Sequence, residues 1–118
     1  MGIINHECVI ATAHSDEDMQ KVKDWVSSID EKYRKLFVFA PSITNFQGTV
    51  FMAPDGSKKG WDTSKEAAGI RDRFIGLIVS LGTFNWVEVG YGEFGQSVLG
   101  GNNVNCYSDD FYHFSNQY

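Results

Sequence analysis

Two stretches with apolar residues at helical spacing, separated and flanked by short β-rich runs, leave this chain few ways to fold. In the first, Met19, Val22, Trp25, Val26, Ile29 and Tyr33 recur three and four apart; in the second, Ala67, Ile70, Phe74, Leu77, Ile78 and Leu81 do the same. Such a stripe turns one helix face toward a core. The spacing predicts helices over 16–33 and 64–81. Ser15 stands where an N-cap would accept an orphan backbone N–H, and Asp16, Glu17 and Asp18 behind it suit the positive end of the helix dipole. Lys32, Arg34 and Lys35 suit the other end. Thr63-Ser64-Lys65-Glu66 reads as a capping box for the second helix, and Gly82 as its C-terminal stop. Gly69 and Gly76 lie inside that helix on nearly one face, which would suit close approach to another backbone.

Strands are predicted at 6–13 (HECVIATA), 36–40 (LFVFA), 48–53 (GTVFMA) and 84–91 (FNWVEVGY). Pro41 ends the second or sets it at a sheet edge, and Pro54-Asp55-Gly56-Ser57 is a turn. In the fourth, Trp86, Glu88 and Gly90 point one way and Val87, Val89 and Tyr91 the other. The order β-α-β-β-α-β predicts an α+β, ferredoxin-like sandwich: an antiparallel sheet with two helices on one face. An irregular C-terminal segment follows, with room for one short strand near 104–107 or 111–114.

At 118 residues, 42% of them hydrophobic, the chain suits a single domain spanning 1–118. No run approaches the roughly 20 apolar residues of a membrane span. MGIINHECVI lacks the basic region of a signal peptide, so a cytoplasmic protein is expected. Cys8 and Cys106 are then expected to be free thiols; a bridge would need the last segment beside the first.

Charge is unevenly spread. Residues 1–73 carry all ten Lys and Arg against eleven Asp and Glu, whereas residues 74–118 carry Glu88, Glu93, Asp109 and Asp110 and no base. The same C-terminal third holds ten of the seventeen aromatic residues. A base-free acidic segment repels nucleic acid and favours a basic partner.

Gly90-Tyr91-Gly92-Glu93-Phe94-Gly95 spells the dinucleotide fingerprint G-x-G-x-x-G. That motif needs a helix behind it, whose N-terminus holds the pyrophosphate. QSVLGGNN breaks too soon for one, and Glu93 would repel a phosphate. The stretch reads instead as a glycine-rich loop presenting Tyr91, Glu93 and Phe94.

Other chemistry is weakly supported. His6, Cys8, Cys106 and His113 are zinc-ligand types, but His-x-Cys and Cys-x6-His match no familiar closed site, and neither metal nor cofactor is expected. Gly95-Gln96-Ser97-Val98-Leu99-Gly100 only loosely resembles a serine elbow. Nothing places Cys106 within reach of His113 as a nucleophile pair. Glu88 with Glu93, or Asp109 with Asp110, name no reaction for a hydrolase. The RNA-recognition signature is missing from GTVFMA.

Protein binding is the favoured function, through Glu88, Tyr91, Glu93, Phe94, Asp109, Asp110, Phe111 and Tyr112. Tyr and Phe among Asn, Gly and Ser suit adaptable recognition, and the acids would steer a basic surface in. The alternative is a small-molecule or nucleotide binder that sequesters a signalling ligand. Trp61, Trp86 and Tyr107 would stack on it, Asn103 would hydrogen-bond, and Lys58 and Arg71 would hold a phosphate. A strand edge beside Pro41 offers a route to a homodimer.

PDGSKKGWDTSKEAAGIRDRFI and WVEVGYGEFG, together residues 54–95, resemble segments of small, largely uncharacterised proteins encoded by bacteriophages. The resemblance transfers no activity and no site residues. It implies an accessory protein in the cytoplasm of an infected bacterium, of the kind that blocks a host enzyme, defence system or nucleic-acid-binding factor.

Overall fold

A computed structural model of the chain describes residues 5–44, 48–58 and 60–102. Five strands and three helices follow in the order β1 (Asn5–Ala13), α1 (Asp16–Ser28), α2 (Glu31–Arg34), β2 (Phe37–Pro41), β3 (Gly48–Met52), α3 (Asp62–Leu81), β4 (Phe84–Gly92) and β5 (Gly95–Gly101). The strands form one sheet in the order β2-β3-β1-β4-β5, and every neighbouring pair is antiparallel. The first four strands and two long helices make the expected ferredoxin-like α+β arrangement; β5 extends it past β4.

Alternation along the strands places the core. Val9, Ala11 and Ala13 of β1, Val50 and Met52 of β3, and Phe84 of β4 are buried against Met19, Val22 and Val26 of α1 and Ala67, Ile70, Phe74 and Ile78 of α3. Both long helices therefore cover the same sheet face. At its centre Phe74 stacks on Trp25, with ring centroids 6.0 Å apart, and meets Phe37 edge-on at 5.2 Å. These are favourable geometries for aromatic pairs, and they join α1, β2 and α3 at one point.

The ends of α1 show local chemistry at work. The Ser15 side chain accepts from the Asp18 N–H, as a cap should. Asp18, itself buried, accepts from the Thr83 hydroxyl at 2.6 Å, and so holds the start of α1 to the α3–β4 turn. The expected single helix over 16–33 is broken. Ser27 and Ser28 turn their hydroxyls back on the carbonyls of Lys23 and Trp25, Ile29 becomes extended, and Asp30 caps the short α2. The break lets Ile29 bury, while Arg34 Nε donates to its carbonyl at 2.9 Å.

Three other expectations are corrected. Helix α3 starts at Asp62 after Trp61, which makes no side-chain capping bond, so Thr63-Ser64-Lys65-Glu66 is not a capping box but the first turns of the helix. Gly69 and Gly76 are exposed, with open space where a Cβ would sit, so no backbone approaches them. Residues 92–101 are not irregular: Gly92 pairs with Gly95 across the two residues Glu93 and Phe94, and β5 runs back along β4. Gly82 does end α3, at φ 76°. The short strands expected near 104–107 or 111–114, and Cys106, lie outside the described residues.

Truncating Phe74 should test this core directly. Phe74→Ala leaves a hole at a fully buried position and should cost about 3–5 kcal/mol, read as a lower midpoint in urea unfolding. Gly69→Ala and Gly76→Ala, on the open side of the same helix, should each raise stability by up to about 1 kcal/mol.

Candidate functional site

Strand β4 separates two surfaces. On the helix side, Glu88 follows Phe84 and Trp86, and at its end of the sheet meets Glu7 of β1 and Arg71 of α3. Arg71 is buried; its Nη2 lies 3.0 Å from Glu7 and its Nε 3.5 Å from Glu88. One guanidinium thus neutralises one of two carboxylates and leaves the cluster with a single negative charge. Burial pushes the Glu88 carboxyl up from its ordinary pKa, opposed by Arg71 and reinforced by Glu7 and Asp72. Arg71 is therefore committed inside the fold and does not hold a ligand phosphate.

Beyond this cluster, β5 carries the sheet past the helices. A β-bulge at Glu88/Val89 leaves Leu99 unpaired on β5, and its side chain lies over Gly90, where a Cβ would stand 3.1 Å from Leu99 Cδ1. Gly100 in turn sits against the Trp86 ring and Glu88. At Gly101, with φ 154°, a Cβ would come within 2.8 Å of the Trp86 carbonyl oxygen, so only glycine fits. The side chain of Asn102 accepts from the Trp86 N–H and fastens the end of the ribbon.

The result is a groove of about 320 Å³ between the start of β1 and the β4–β5 ribbon. Glu7, Gly90, Ser97, Leu99 and Phe94 are among the residues that line it. The Glu7 side chain is 41% exposed, so a carboxylate stands at one end. Phe94, 79% exposed, and Glu93 form the hairpin tip. A channel of mixed polar and apolar lining, with Leu99 and Phe94 along it and a carboxylate at its end, fits the stem and charged head of a lysine or arginine.

The residues expected to act together are divided by this geometry. Tyr91, Glu93 and Phe94 lie at the hairpin; Glu88 lies nearby but on the opposite face from Tyr91 and is engaged with Arg71. Asp109, Asp110, Phe111 and Tyr112, and Tyr107 and Asn103 of the alternative set, lie outside the described residues. Among the described residues of that alternative set, Trp61 and Lys58 meet: Lys58 Nζ is 5.9 Å from the Trp61 ring. Arg71 is ten residues, or about 15 Å, further along the helix, and Trp86 packs against the core. His6 and Cys8 share the sheet face away from the helices, where His6 stacks on Tyr91 at 5.0 Å and burial raises the Cys8 thiol pKa. The described residues hold no group of three or more metal-ligand side chains.

Glu7 and Leu99 are not singled out from sequence as binding residues, and Ser97 only as the serine of a loose elbow motif. One signal was present: Glu7 has the same strand parity as Val9, Ala11 and Ala13, and Arg71 follows Ile70 on the apolar stripe. Charges at two core-facing positions demand each other.

Two outcomes follow for the titrating groups. Arg71→Met strands Glu7 and Glu88 together and should cost about 2–3 kcal/mol at pH 7. Because the Glu88 pKa is raised in the folded state, its contribution is fully present below the ordinary carboxylate range and is lost as pH rises through the folded value. The deficit of Arg71→Met should therefore shrink at pH 4.5, measured by chemical unfolding at both pH values. Separately, the Tyr33 hydroxyl donates to Glu66, which with burial pushes its pKa up to about 12. Stability linked to Tyr33 should be intact below pH 10 and fall between pH 10 and 12; Tyr33→Phe should abolish that component, read by absorbance titration and unfolding.

Comparison of the chain with protein-family models, with curated proteins and with solved structures finds no match in any of the three.

Proposed function

We propose that this chain is a non-catalytic accessory protein of the kind its sequence resembles, which binds and inhibits a host protein with a basic surface. The observation that carries this reading is the groove beside the β4–β5 hairpin, with Phe94 and Leu99 along it, Glu7 at its end and Glu93 at the tip. Aromatic anchors at the centre of a contact are a usual source of binding energy at protein interfaces. The absence of Lys and Arg from residues 74–118 suits a cationic partner.

The test is capture from a bacterial lysate at low and high salt by the intact chain and by Phe94→Ala and Glu93→Gln. A basic protein retained at low salt should be lost at high salt. Phe94→Ala should weaken retention at least tenfold, and Glu93→Gln should slow association. A partner held equally by all three chains and at both salts would sink the proposal.

A second reading rests on a different corner. Trp61 is 54% exposed at the side of a hollow of about 290 Å³, with Lys32 and Lys35 on its wall and Lys58 over the ring. A planar anion such as a nucleotide suits that set. Trp25 and Trp86 pack against the core, so quenching should report Trp61. Titration with a nucleotide panel should quench tryptophan emission in the intact chain and not in Trp61→Phe; emission that stays flat would remove this reading.

A further inference from the structure

The helices cover one face of the sheet. The opposite face carries Val38, Phe51, Ile10 and Val87 as one row across four strands, in the register Val38↔Phe51, Ile10↔Phe51 and Ile10↔Val87. A second row joins Cys8, Val89 and Val98, and a third His6, Tyr91 and Gln96. None of the strand residues on this face is Asp, Glu, Lys or Arg, in a chain where those residues make up 21%. No described element lies over it; Val38 and Val98 are each more than half exposed, Phe51, Val87 and Val89 are partly exposed, and Cys8 is buried.

We infer that this face binds a second copy of the chain, forming a symmetric dimer of two sheets packed face to face. Two observations select that occupant. The first is charge. In a two-fold interface the same patch meets itself, so any fixed charge near the axis meets its like. A face without charge on a molecule of net charge −5 is compatible with itself, whereas a face built for a basic partner would carry acids. The second is area. Five strands spaced by ~4.8 Å, and up to nine residues long, give a footprint of roughly 600 Å² before side-chain relief is added. That approaches the ~800 Å² per partner of a stable interface. Sheets packed in this way interdigitate their side chains at a spacing of ~10 Å. Because β1 is the middle strand, Ile10 lies near the centre of the patch, where a residue faces its own counterpart. This surface is distinct from the groove at the hairpin, so the dimer stands or falls independently of the host-protein reading.

The experiment is sedimentation equilibrium on the full chain between about 1 and 200 µM, a range that brackets weak to moderate association. The expected result is a mass approaching twice the 13.2 kDa of one chain. Ile10→Lys and Ile10→Asp should each be monomeric with unchanged circular dichroism, and an equal mixture of the two should restore the dimer. That recovery excludes misfolding as the cause of dissociation. A monomeric native chain throughout the range would overturn the inference and assign the face to another cover, the C-terminal residues 103–118 or a different protein. A dimer that persists in both variants would overturn it equally, placing the contact at a strand edge.

Discussion

The packing of Phe74 between Trp25 and Phe37 is the contact on which the rest of the structure depends. These three rings come from α3, α1 and β2, which are distant in sequence and share no backbone hydrogen bonds. Helices lie on a sheet only where side chains hold them, and here one fully buried ring fixes the position of both long helices together. With α3 so placed, Arg71 falls three residues before Phe74, on the same side of the helix, and arrives between Glu7 and Glu88.

That ion cluster changes how the acidic C-terminal third is understood. Counting letters, Glu88 adds to a negative surface. In the fold it is drawn to the helix side, and a base from the preceding helix sits on it. Arg71 lies 3.0 Å from Glu7 and 3.5 Å from Glu88, so the charge near the ribbon is the one net negative charge of that cluster together with Glu93 at the hairpin tip. The charged corner at this end of the molecule is thus assembled from strands far apart in the sequence, which the central position of β1 makes possible.

Much of the architecture was legible because periodicity reports burial directly. Ser15, Gly82, the alternation of Trp86, Glu88 and Gly90 against Val87, Val89 and Tyr91, and both apolar stripes all kept their meaning in the fold. What failed did so for particular physical reasons. The break at Ile29 depends on serine hydroxyls competing for carbonyls, a choice that spacing does not record. β5 was hidden because Glu93-Phe94 lacks the Asn-Gly or Asp-Gly chemistry that marks a two-residue turn, and because GQSVLGG has too few β-branched residues to read as a strand. The groove was legible only as a mismatch: two charges at positions whose parity pointed inward.

The sheet's two edges have a consequence of their own. An outer strand with free N–H and C=O groups invites another chain to add on, and repeated addition makes fibrils. Here β2 offers only five residues and ends on Pro41, which has no N–H to give. At the other side, the bulge at Glu88/Val89 throws β5 out of regular register, and three of its seven residues are glycine. Neither edge presents a long, straight template. Growth by strand addition along the sheet is therefore checked at both of its edges.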